Sequence, residues 1–211
     1  MLPILVLEVI VALPVAMWVS YRRGSLADRT LMVVTTIALS ISFLVYIIVG
    51  QYVFGFQLGW FPVQGWSDST WTNLTTYVPL PVLLAVFVAL APYTRLYRTF
   101  FLDELGQDYV RTARAKGMTE GRVMFSHVLR NAMIPILTNV GLALPGVFVG
   151  SFLIEVFFSI PGLGREILLA VNRSDYPVIQ AIAVYLAALT MVINLIVDVL
   201  FKLVDPRVVL K

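Results

Sequence analysis

Cysteine is absent from all 211 residues, which excludes a disulfide framework, a thiolate metal site and a cysteine nucleophile. Histidine is nearly absent as well: His127 stands alone, without a second ligand at metal-binding spacing. Charge is scarce, at 13% of residues against 60% hydrophobic ones, and the mean hydropathy is +0.91. A soluble domain carries about a quarter charged residues, so this composition describes a polytopic membrane protein. There is no Gly-x-x-x-x-Gly-Lys-Ser/Thr loop for nucleotide phosphates, no His-Glu-x-x-His and no Gly-x-Ser-x-Gly. The chain is therefore read as not an enzyme, with no catalytic, cofactor-binding or metal-ligating residue.

What is present is a set of apolar runs: Leu2 to Ser20, Leu31 to Phe54, Tyr77 to Ala91, Ile134 to Phe158 and Val178 to Phe201. Measured against the ~20 residues that cross a bilayer, they predict an all-α fold of about five transmembrane helices in a single domain, 1–211. The third run is short, and its helix is expected to continue through Tyr93 and Tyr97, which then sit at the membrane interface, with Pro79, Pro81 and Pro92 at its ends or kinks. If the spans alternate, Tyr21 to Arg29 contributes three basic residues, Arg95 to Arg130 seven and the tail from Lys202 three to one side, against Arg165 and Arg173 on the other. That asymmetry places the central connection and the C-terminus in the cytoplasm and Met1 outside. The first run has its charges after the apolar core instead of before it, unlike a secretory signal.

The central connection, Asp103 to Pro135, holds five basic residues, Arg111, Arg114, Lys116, Arg122 and Arg130, and is long for a mere link between spans. Gln107 to Lys116 lacks Gly and Pro and predicts a helix of about three turns, with Tyr109, Ala113 and Lys116 at helical spacing. Gly117 stands where a left-handed residue ends such a helix. Thr119 can cap a second helix, in which Met124 and Val128, and Phe125 and Leu129, form apolar pairs four residues apart. A structured, amphipathic helix-turn-helix of this kind reads as a docking element; an ordinary basic cytoplasmic loop is the alternative. Asp103, Glu104, Asp108 and Glu120 are interleaved with the arginines, which argues against a nucleic-acid site.

The residues of that stretch carry a resemblance. Asp108-Tyr-Val-Arg-Thr-Ala-Arg-Ala-Lys-Gly117, with His127-Val-Leu-Arg-Asn-Ala-Met-Ile-Pro135 after it, resembles the coupling loop of ABC importer permeases, and most of all the first permease subunit of dipeptide and oligopeptide importers. Gly117 matches the glycine of the wider family's Glu-Ala-Ala-x-x-x-Gly loop and Ala113 its second alanine, while Arg111 and Thr112 replace the Glu and first Ala, and Leu129-Arg130 replaces a Leu-Pro. The coupling loop so placed spans 103–133. The resemblance implies the type I importer permease fold and assigns the ATPase contact to Tyr109, Arg111, Thr112, Ala113, Arg114, Ala115, Lys116, Gly117, Met118 and Arg122. Subunits of this subgroup carry a further N-terminal span, so the chain is expected to begin inside what is their second.

Outside the membrane, residues 159–177 form the other informative segment. Pro161, Gly162 and Gly164 break the arriving helix and allow a tight re-entry, followed by a short amphipathic helix up to Asp175 and Tyr176. Its Pro-Gly-Leu-Gly and Asp-Tyr-Pro sequences, and Asp205-Pro206-Arg207 at the tail, also resemble peptide-importer permeases. The loop from Gly55 to Thr76, with Trp60, Trp66, Trp71 and Asp68, anchors spans at the headgroup level or contacts a substrate-delivery protein. Within the spans, Glu155 and Asn139 are the candidate pathway or gate residues. Asn194 and Asp198 share a face and can act as packing glue. Glu8 is expected near the outer interface, partly buried.

The resemblance implies a transmembrane pathway subunit of an ATP-driven importer, most directly for dipeptides or oligopeptides, in the cytoplasmic (inner) membrane of a prokaryote. It implies a second permease subunit, two ATPase subunits that bind ATP and Mg, an external substrate-binding protein and the lipid bilayer as partners, with no nucleic acid and no cofactor in this chain. Nickel and oligosaccharide importers use similar permeases. A stand-alone channel or carrier, or a non-transporting remnant of a permease, are the readings from other classes.

Overall fold

The computed structural model describes residues 1–204, with side chains to residue 199, and every described element is helical. The Asp205-Pro206-Arg207 motif lies outside the described residues. Helix α1 (Leu2–Tyr21) is apolar on every side. Helix α2 (Leu26–Ser40) starts at Ser25, whose hydroxyl accepts from Asp28 N, and Asp28 sits in the first turn, where the dipole favours a carboxylate. Helix α3 (Phe43–Gly50) continues into a π-helical turn, Gln51–Gln57. The short α4 (Thr70–Thr72) leads through another π turn, Asn73–Tyr77, to α5 (Pro79–Leu105). Prolines 79 and 81 fall in the first turn of α5, where no intrahelical N–H bond is lost.

Helix α6 (Asp108–Ala115) follows, then α7 (Glu120–Val123), which runs through a π turn at Met124–Val128 directly into α8 (Leu129–Val149). The chain ends with α9 (Phe152–Phe157), α10 (Leu163–Asn172) and α11 (Tyr176–Val204). Among the described residues, four helices are long and apolar enough to span a membrane, or five if one bent pair counts as a span. This is a multi-pass membrane protein with the all-α fold its composition predicts.

Three expectations need correction. The run Leu31 to Phe54 is not one continuous helix: Leu26–Ser40 and Phe43–Gly50 are separate helices, broken at residues 41 and 42. Just before the break, Thr36 and Ser40 hydroxyls donate to the carbonyls four residues back, at 2.7 and 2.9 Å, an interaction that bends helices and loosens their ends. Glu8 is buried in full, at 3% exposure, and not in part. The run Ile134 to Phe158 is interrupted at Gly150, whose φ of +85° no helix continues.

The contacts group the chain into two compact units. One comprises 5–42 and 86–140. Its core joins Ala12 and Ala16 of α1, Tyr97 and Phe101 of α5, Val110 and Ala113 of α6, and Val123, Met124, Val128, Ala132 and Ile136 of the α7–α8 run. The small side chains of α1 let helix backbones approach, the usual solution where lipid offers no hydrophobic drive between helices. A bidentate pair locks α2 to α5 in the same unit: Arg98 Nε and Nη2 donate to Asp28 Oδ1 and Oδ2 at 2.7 and 2.8 Å. The other unit comprises 1–4, 43–85 and the described residues from 141. Its core packs Ile47, Leu80, Leu84, Ala85, Ile154 and Phe158.

Candidate functional site

The stretch 103–133 is built so that one face belongs to the span core and the other to solvent. Val110, Ala113, Val123, Met124 and Val128 are buried in the core described above, with Tyr109 and Met118 packed against it. Arg111, Thr112, Arg114, Ala115, Lys116, Gly117 and Arg122 are exposed. The loop is thus not a tether: side chains on the two short helices interlock with those of the spanning helices, so a displacement of the loop strains the spans.

The turn between the two helices has a defined cap. Gly117 adopts φ +75°; its N–H donates to Arg114 O at 2.9 Å and the Met118 N–H to Ala113 O at 3.3 Å. Those two bonds form a Schellman motif, and Met118 packs beside Ala113 as that motif's apolar contact. Across the turn, Arg114 Nε and Nη2 donate to Glu120 Oε1 and Oε2 at 2.9 and 3.2 Å, tying α6 to α7. Arg111 approaches Asp108 at 3.5 Å, both side chains largely in solvent, a pair too exposed to hold the guanidinium.

Several details differ from the sequence expectation. Helix α6 covers eight residues, about two turns, because Gln107 is already extended (φ −76°, ψ 151°) and Lys116 is the C-cap. Lys116 consequently faces solvent and does not share the buried face of Ala113. Thr119 occupies the N-cap position of α7, but its side chain makes no capping bond. Tyr109 turns inward: its hydroxyl donates to Glu104 Oε2 and its ring lies 6.4 Å from His127. Burial raises the Tyr109 phenol above its ordinary pKa, so it stays a donor. Phe125 is 62% exposed and leaves the pairing with Leu129. Phe125 belongs to the π turn Met124–Val128, where helical spacing does not place a side chain.

The candidate gate residues Asn139 and Glu155 belong to different units, and each is described within its own. Asn139 is half-buried in α8, and its Oδ1 has no partner among the described residues. Glu155 sits in the first turn of α9, 9% exposed. Its Oε1 accepts from Ser151 N at 3.2 Å and its Oε2 from Gly164 N and Arg165 N at 2.7 and 3.3 Å. In the 159–177 segment, Pro161 and Gly162 precede α10, Gly164 lies in its first turn, and Asp175 Oδ1 accepts from Val178 N at 3.3 Å, capping α11. Tyr176 is 69% exposed. Asn194 and Asp198 are both exposed on α11.

A family model described as binding-protein-dependent transport system inner membrane component matches residues 12–210. The chain belongs to this family. Members of curated standing are similar over most of its length. The oligopeptide transport system permease protein AppB of Bacillus subtilis (strain 168) is 37% identical over 207 residues, 96% of this chain and 66% of that protein. The dipeptide transport system permease protein DppB of Escherichia coli (strain K12) is 34% identical over 224 residues, 94% of this chain and 66% of its own. The di/tripeptide transport system permease protein DppB of Pseudomonas aeruginosa (strain UCBPP-PA14) is 34% identical over 209 residues, 89% and 62%. The chain therefore spans somewhat less than two thirds of the length of these family members.

Proposed function

We propose that this inner-membrane component is a transmembrane pathway subunit of an ATP-driven importer for dipeptides or oligopeptides. The relatives' names support the substrate class, and the construction of the 103–133 loop supports the coupling. Its buried face is keyed into the spans while its basic, aromatic face is free, which suits a helix-in-groove partner on the cytoplasmic side. In this reading ATP and Mg are bound by two partner ATPase subunits and the chain itself is not an enzyme. A second permease subunit completes the pathway and an external binding protein delivers the peptide. Closure of the ATPase pair displaces α6 and α7, and the helices packed on them exchange inward-facing for outward-facing states. Coupling residues are Arg111, Thr112, Arg114, Ala115, Lys116, Gly117 and Arg122, with Tyr109, Ala113 and Met118 holding the loop to the core. The membrane is the prokaryotic inner membrane, with the loop and the C-terminus in the cytoplasm.

The test is purification of the tagged chain from its native membranes in mild detergent. Recovery with two ATPase subunits and a second permease is expected. A chain stable in the membrane but recovered alone contradicts the ATP-driven reading and leaves a stand-alone carrier.

A further inference from the structure

The carboxylate of Glu155 occupies a cradle made by residues without side chains. A Cβ placed on Gly150 or Gly162 would overlap the Glu155 carboxyl group, and one on Gly164 would lie 2.7 Å from Phe152 Cα and 3.0 Å from Glu155 Oε2. Into that space three backbone N–H groups point, from Ser151, Gly164 and Arg165, all accepted by the two carboxylate oxygens. Charge-assisted bonds of this kind are about twice as strong as neutral ones, and a nearly buried carboxylate requires them.

These bonds bridge the start of α9 to the start of α10 across the turn at Ser159, whose φ is +56°. The turn is fixed a second time by Arg165 Nη1, which donates to Ser159 O at 2.9 Å. The 55–76 loop and the π turn before it attach to the same place: Gly65 N donates to Phe158 O at 3.1 Å and Gln51 Nε2 to Phe157 O at 2.8 Å. Glu155 also lines a cavity of about 450 Å³ walled by Trp66, Phe148, Ile160 and Leu163, and is the one ionisable side chain among its described lining residues. An ionic contact for a substrate ammonium would be expected to point unoccupied oxygens into such a cavity. Here both oxygens are turned to the backbone.

We propose that Glu155 is a positioning residue. Its carboxylate pins the external segment 159–177 onto α9 and so sets the wall of this cavity, without contacting the transported molecule. The inference rests on the transport reading only for its consequence on uptake; the pin itself is tested separately.

The experiment uses the assembled transporter in native membranes. Because the chain has no cysteine, Gln64→Cys and Ser159→Cys make a reporter pair, at positions flanking the Gly65 N to Phe158 O bond of 3.1 Å; disulfide formation within the chain is read by protection from maleimide-polyethylene glycol. With this pair as parent, Glu155→Ala and Gly162→Ala should each slow cross-linking and lower peptide uptake by at least about tenfold. Glu155→Gln keeps an acceptor for Gly164 and Arg165 and should hold both readouts within about threefold. Normal cross-linking in Glu155→Ala overturns the proposal, whether uptake is lost, which would make Glu155 a substrate contact, or retained. Slowed cross-linking in a parent that carries no peptide leaves the pin standing and sinks the transport reading.

Discussion

Gly117 offers the sharpest perturbation of the coupling loop. A Cβ built on it meets nothing within 4 Å, so a substitution costs only the strain of a side chain at φ +75°. For an L-residue in the left-handed region that strain is about 1–2 kcal/mol, least for Asn and greatest for a β-branched residue. The capped geometry would lose about 5–30-fold in population against alternatives that release the Gly117 and Met118 N–H bonds. Gly117→Val should therefore leave the chain inserted and the partners able to hydrolyse ATP, while peptide uptake per ATP falls by about tenfold. Gly117→Asn should stay close to the parent. The assay is the ratio of uptake to hydrolysis in proteoliposomes of the complete transporter. A Val variant with an unchanged ratio refutes the role of the cap, as does an Asn variant as damaged as Val.

Further outcomes follow from the ion pairs and the exposed aromatic. Arg98→Ala strands the Asp28 carboxylate, whose side chain is 7% exposed, and should cost about 3–5 kcal/mol, read as a lower unfolding midpoint in detergent; the Arg98→Met, Asp28→Leu pair should recover most of it. Arg114→Glu should weaken ATPase association by opening the α6–α7 clamp, and adding Glu120→Arg should restore it; since the pair is exposed, the stability change itself should stay under about 1 kcal/mol. Phe125→Ala should leave folding nearly unchanged but reduce ATPase co-purification, because its side chain is 62% exposed in this chain.

The sequence made some of this legible and hid the rest for physical reasons. Apolar run length fixes the class and number of spans, since a bilayer imposes a length that few other environments do. The position of Gly117 marks the loop's turn because only a few residues tolerate that conformation. The break after Ser40 was hidden, as no proline or glycine marks it and the side chain to main chain bonds that accompany it depend on the surroundings. The inward turn of Tyr109 depends on its packing with Glu104 and His127, and the Asp28–Arg98 pair joins segments 70 residues apart. Glu155 was visible as an expensive charge in an apolar run; that Gly150, Gly162 and Gly164 together make its cradle was not, because their convergence needs the break at Gly150.

In the proposed function the exposed face of α6 lies in the cytoplasm against an ATPase subunit. Ala115→Cys, a single cysteine on that face, tests it by labelling with a membrane-impermeant maleimide. No labelling is expected in intact spheroplasts, strong labelling in inverted vesicles stripped of the ATPase, and protection when the ATPase is bound. Labelling of intact spheroplasts, or no protection by the ATPase, would contradict it.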